Sequence, residues 1–218
     1  MTTVSTIESI DERVTEWAKK NRRTATIVVV AVALTGGGGW FWWTAKERRE
    51  SFAERALQQA RSSAEAGNLP LASSDLARMV STYSGSRAGE EGALLLAQVR
   101  LLQNQAALAV GDLQKFVASG PRQEFRGPAS GLLGTALEEV NKPAEAARAY
   151  EAAAAASPYK GVKAQYLLDA ARAYVAAGDT ARAASIYEQI IRDQKNGNSA
   201  VEAQVRLGEL HRVLAKQG

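Results

Sequence analysis

The chain has 218 residues, of which 46% are hydrophobic, 6% aromatic and 23% charged. This composition supports one or two domains with a sizeable apolar core and excludes a wholly disordered chain. With no cysteine and a single histidine, His211, it excludes disulfide scaffolds, zinc ribbons, thiol nucleophiles and any site needing two imidazoles. The net charge of +4 comes from 27 Lys and Arg against 23 Asp and Glu, a mixed balance too small to point to nucleic acid. Lack of cysteine leaves the redox compartment open. The five prolines sit at a few joints, so the chain reads as mostly helical.

Residues 1–24 begin with Ile7, Ile10, Val14 and Trp17 at three- and four-residue spacing among acidic and basic residues. That pattern predicts a short amphipathic helix, lying on a membrane surface, docked on a partner or simply flanking an anchor. Residues 25–45 then run without a charge. At helical rise they reach about 31 Å, the thickness of a bilayer core, and predict a single transmembrane helix. Trp40, Phe41, Trp42 and Trp43 close the run, as expected of rings at a lipid boundary. The glycines 36–39 cost about 0.8–1 kcal/mol each relative to Ala in a helix in water. In lipid a helix is still favoured, because its backbone has no other partner. Either Ala31, Thr35 and Gly39 form a flat face for another membrane helix, or the glycines are a soft joint. A cleavable signal peptide competes with the anchor, but apolar sequence continues past the small-residue site Ala31-Val32-Ala33. Lys19, Lys20, Arg22 and Arg23 precede the run and Lys46, Arg48 and Arg49 follow it. Four positive charges against three favour a cytoplasmic N-terminus.

A 37-residue repeat fills residues 46–218. Ala60, Ala97, Gly134, Ala171 and Gly208 form a column of small residues at that spacing. Gly67, Asn104, Asn141 and Gly178 form a column of turn formers, which end a first helix. Ala72, Ala109, Ala146 and Ala183 follow, then the large residues Leu76, Leu113, Tyr150 and Tyr187, then Met79, Phe116, Ala153 and Ile190. Small residues facing small ones let two helices approach, and the large residue one turn on fills the groove beside them. Pro70 and Pro143 suit the first turn of a second helix. The predicted pairs are 46–82, 87–118, 125–156 and 160–193, with a closing helix over 199–215. No Gly or Pro interrupts 44–60, so the first repeat helix is expected to begin inside the apolar run. Residues 120–128 hold Gly and Pro joints and are expected to form an exposed loop. The fold class is all-α: stacked helix pairs forming a solenoid behind one transmembrane helix.

Catalytic chemistry is not legible. His211 stands in the column of Tyr174, a packing or rim position. The tetraglycine lacks a following Lys-Ser/Thr and forms no phosphate loop. Glu90-Glu91 and Glu138-Glu139 are neighbours that point apart on a helix. Arg48, Arg49, Arg55 and Arg61 alternate with acids and read as a solvated face. The chain is therefore expected to be no enzyme and to use no cofactor, metal, nucleic acid or small-molecule substrate.

The small and large columns resemble the tetratricopeptide repeat. The clearest unit is LLDAARAYVAAGDTARAASIYEQII, 167–191, where Ala170, Ala171, Tyr174, Gly178, Asp179, Ala183 and Tyr187 match. Leu167 and Ser130 replace the motif's early tryptophan, and Gln59 and Ser63 fill columns that are usually apolar or aromatic. Projecting the motif places a partner-binding groove on the first helices. Its candidates are Leu57, Arg61, Leu94, Gln98, Leu101, Thr135, Glu138, Leu168, Arg172 and Val175. The whole layout, with WAKKNRR, the apolar run, WFWW and KERRESFAERALQQA, resembles the YfgM-like family, an ancillary subunit of the bacterial SecYEG translocon. That resemblance implies an inner-membrane, single-pass protein with a periplasmic repeat domain. It also implies contact with the Sec translocon and with a membrane-anchored periplasmic chaperone that serves exported proteins. A tethered scaffold for envelope assembly or cell division is the alternative.

Overall fold

The computed structural model describes residues 19–194 and 197–217. The amphipathic pattern of Ile7, Ile10, Val14 and Trp17, and the side chains of the 40–43 aromatic cluster, lie outside the described residues. The described elements are all helices: α1 (Arg22–Glu65), α2 (Leu69–Thr82), α3 (Arg87–Leu102), α4 (Ala106–Ala118), α5 (Gln123–Glu139), α6 (Pro143–Ala156), α7 (Lys160–Ala176), α8 (Thr180–Asp193) and α9 (Asn198–Gln217). The chain divides into two units, Met1–Arg49 and Glu50–Gly218.

In the first unit the helix holds through the glycines 36–39. Ile27 and Val30 are exposed near its start. Among the described residues no helix is long and apolar enough to cross a membrane. The expected span at 25–45 thus gains a helical backbone but no support as a membrane crossing.

The second unit is a stack of hairpins whose joints follow from the turn column. Gly67, Asn104, Asn141 and Gly178 all take positive φ, between 57° and 83°. Each closes its first helix with the same two bonds. The Asn104 N–H donates to Leu101 O (2.9 Å) and the next N–H, of Gln105, to Arg100 O (2.8 Å). Asn141 and Lys142 repeat this onto Glu138 and Leu137, and Gly178 and Asp179 onto Val175 and Tyr174. These bonds satisfy carbonyls that a helix end leaves orphaned. Two of the second helices start on side-chain caps. Asn68 accepts from Leu71 N–H and Asp179 from Arg182 N–H, while Pro143 opens α6 at the position that needs no donor.

Packing follows the size columns. Ala60, Ala97 and Ala171 on first helices are fully buried, as are Ala72, Ala109, Ala146 and Ala183 on second helices. Leu76, Leu113, Tyr150 and Tyr187 fill the space one turn along. At Gly134 the approach is close: a Cβ built there would lie 2.6 Å from the Tyr150 ring. From α2 onward each helix packs on the next, α1 shares a buried cluster with α2 and α3, and first helices also touch first helices, α3 with α5 and α7 with α9. This is the architecture of an α-solenoid.

One expected loop is corrected. Residues 123–128 belong to α5, and Pro128 lies inside that helix. Phe125, Gly127 and Ala129 around it are buried. The apolar contacts of this turn outweigh the one backbone bond that proline withholds. The true joint is short, with Gly120 at positive φ and Pro121 buried.

Candidate functional site

The ten groove candidates fall into three columns of the 37-residue period along α1, α3, α5 and α7. Leu57, Leu94 and Leu168 share the first column, Arg61, Gln98, Thr135 and Arg172 the second, and Leu101, Glu138 and Val175 the third. Successive columns are separated by four and three residues, so all three lie near one side of each helix.

The structure separates them by depth. Leu57 and Leu168 are 4% and 5% exposed and belong to the core behind this face. Their side of the helix turns toward the neighbouring hairpins, where apolar contact wins. Leu94 and Leu101 are half-buried against the cluster around Ala97 and Leu113. Gln98, Thr135, Arg172 and Val175 are exposed, while Arg61 and Glu138 are half-buried. The outward surface is thus a polar stripe edged by aliphatic residues.

The structure joins three of the candidates through one carboxylate. Arg172 Nη1 and Nη2 donate to Glu138 Oε1 and Oε2 at 2.8 and 3.1 Å, a bidentate pair between α7 and α5. The Tyr150 hydroxyl reaches the same face from α6 and donates to Glu138 Oε2 at 2.8 Å, with Thr135 Oγ1 3.1 Å from it. Burial, reinforced by the Glu138 carboxylate, pushes Tyr150 up to about 12. Asp169 adds a contact to Arg172 at 3.5 Å; burial raises its carboxyl and the guanidinium partly offsets that.

Similar pairs tie other repeats. Arg61 pairs with Glu91 across α1 and α3. Arg122 pairs with Glu90 at 3.0 Å, and Arg87 with Glu124 at 3.0 Å, between the α3 segment and α5. Next to Arg61 a cleft of about 660 Å³ opens between α1 and α3, lined by Leu57, Gln58, Arg61, Arg87 and Glu91 among others. Its walls carry both signs of charge, so it suits a polypeptide with mixed polar contacts more than a single ion.

The tyrosine hydroxyls are not legible in the size columns. Tyr174 donates to Glu151 at 2.6 Å, and the Arg182 guanidinium lies 5.0 Å from the Tyr174 ring centre. Burial and that bond push Tyr174 up to about 12. The signal was Tyr150 standing where earlier repeats have Leu, since a phenol in a core column needs a polar partner. His211 is exposed, a rim position. Among the described residues no group of three or more His, Asp or Glu gathers as a metal site.

Paired helices, positive-φ turns and alternating size columns define a tetratricopeptide-type protein-interaction module. The family model of the tetratricopeptide repeat-like domain matches residues 15–130, over half of the chain, and the chain belongs to that family. The same period continues past the match, which ends within α5, through α6 and the hairpin α7–α8. No curated protein matches the chain significantly. Among solved structures, the nearly identical TPR-like repeats of a chain assigned as a kinesin light chain from Podosopora anserina are similar. They share 21% identity, with TM-score 0.61 over 77% of this chain and 89% of that one. MamA from Desulfovibrio magneticus RS-1 is similar at 18% identity and TM-score 0.53, covering 67% and 77%. A tetratricopeptide repeat protein from Parabacteroides merdae is similar at 11% identity and TM-score 0.59, covering 73% and 60%. At these identities the likeness is one of fold.

Proposed function

We propose that the chain is a membrane-anchored tetratricopeptide module that serves the Sec translocon. In this reading the repeats face the periplasm and help a membrane-anchored chaperone to receive exported proteins. The observation that carries the binding role is the outward part of the first-helix columns. Arg61, Gln98, Thr135 and Arg172 repeat one position of the period along the stack, with Val175 beside the last of them, which suits an extended partner contacted at successive repeats. What supports the anchor is the uncharged run 25–45 with basic residues on both sides. What supports the Sec assignment is the resemblance of the layout to the YfgM-like family.

A reporter fused after Gly218 tests the topology. The account predicts activity of a periplasmic reporter and none of a cytoplasmic one; the reverse result removes the periplasmic role. Crosslinking in native membranes tests the partner. Recovery of translocon subunits is the expected outcome, and recovery of envelope-assembly or division proteins alone would replace the Sec reading with a tethered scaffold.

A further inference from the structure

The α3–α4 hairpin departs from the two that follow it at one pair of columns. Arg100 and Asp112 stand where the next repeats carry Leu137 with Ala149 and Tyr174 with Ile186, all four buried. Arg100 and Asp112 form an ion pair instead, with side chains only 16% and 32% exposed. Arg100 Nη1 also donates to the Leu108 carbonyl at 3.3 Å, while the buried Nε has no acceptor. A sequestered ion pair adds no stability over the apolar pairs that serve the later hairpins, and a donor left unmet is a further cost. Beside this pair a cavity of about 430 Å³ opens between α2, α3 and α4, a size usual for small-molecule sites. Its apolar wall is formed by Ala77, Val80, Ala93, Leu96 and Phe116, and its charged groups are Glu90, Arg100, Asp112 and Lys115. The stripe that α3 turns to it, Gly89, Ala93, Leu96 and Arg100, is not the one that bears Leu94, Gln98 and Leu101.

We propose that this cavity binds a small aryl carboxylate, with the ring against the apolar wall and the carboxylate on Arg100 and Lys115. The charge balance selects an anion. Glu90 is already met by Arg122, whose guanidinium lies 3.0 Å from it and whose backbone N–H donates to it at 3.2 Å. That leaves Arg100 and Lys115 against Asp112, one positive charge in excess. The donor count selects a carboxylate. A guanidinium carries five N–H donors, and Arg100 gives its bonds to Asp112 and Leu108 from Nη1. A second carboxylate can therefore join it without displacing Asp112, as a charge-assisted contact in a partly dry wall. Phe116 favours an aryl body, which it can meet edge to face or by offset stacking. The bound ligand would repay the ion pair that this hairpin keeps and its successors lack.

Titration calorimetry of the full chain in lipid nanodiscs tests this, with empty nanodiscs as the blank, 2-naphthoate as the probe and neutral 2-naphthamide as its isostere. The wild type should bind 2-naphthoate saturably and at least tenfold more tightly than the amide. The double variant Arg100→Leu with Asp112→Ala installs the residues of the α5–α6 hairpin. It should keep or raise thermal stability while weakening 2-naphthoate at least tenfold. Ala77→Trp should fill the cavity and weaken the probe to a similar extent with helicity unchanged. No saturable binding of 2-naphthoate, equal binding of the amide, or full binding by the double variant overturns the proposal. If the double variant or Ala77→Trp proves unfolded, Lys115→Glu decides, since it alters an exposed side chain and reverses the charge excess. It should weaken 2-naphthoate at least threefold, and unchanged binding there overturns the proposal as well.

Discussion

At the scale of single residues, close packing and shared hydrogen bonds set the expected costs. Gly134 admits no side chain without moving the Tyr150 ring, so Gly134→Ala should destabilise the repeat unit by about 1–3 kcal/mol, read by urea denaturation. A loss under a few tenths would mean that the ring moves freely. The Glu138–Arg172 pair is half open to solvent. A double-mutant cycle should return a coupling of about 0.5–1 kcal/mol that shrinks with salt. Tyr150 supplies a pH dependence. Its folded value of about 12 exceeds the ordinary 10.0, so the folded state favours the neutral hydroxyl. Stability should fall as pH rises from about 10 toward 12, and Tyr150→Phe should flatten that part of the profile. An unchanged slope in the variant would remove the hydroxyl from the network. None of these contacts could be read from the periodicity. A column states how large a side chain is, whereas Glu138, Tyr150 and Arg172 meet only once three helices are stacked.

At the scale of helices, the turn column was legible because backbone geometry restricts it chemically. A left-handed residue must be Gly, or Asn with its tolerance for that region, and the four positions hold only those. Asn104→Ala and Asn141→Ala should each cost about 1 kcal/mol by chemical denaturation, whereas changes to Gly should be close to neutral. Equal effects of Ala and Gly would refute the cap assignment. The segment 120–128 departs from its local composition for the opposite reason. Its glycines and prolines are local breakers, but Gly127 is buried close to the Ala153 carbonyl and Phe125 fills the core. Tertiary burial overrode local propensity there. The groove candidates divide in a similar way. The 37-residue spacing placed them near one side of the first helices, but it carried no information on which column lies against the next hairpin. Leu57 and Leu168 therefore fell inside, and Gln98 and Val175 outside.

At the scale of the whole molecule, no repeat buries its apolar surface alone, so stability and the binding face arise from the same stacking. The stack repeats one surface position at regular intervals, which matches an elongated polypeptide better than a compact small molecule. The lining of the α1–α3 cleft, with arginines and glutamates together, agrees with that class of partner. Photo-crosslinking from single positions tests this most directly. Photoreactive side chains at Gln98 and Val175 sample the first helices, and those at Gln114 and Arg148 sample the exposed side of the second helices. The account predicts protein adducts in native membranes from Gln98 and Val175 and few or none from Gln114 and Arg148. Adducts mainly from the second-helix positions would contradict it.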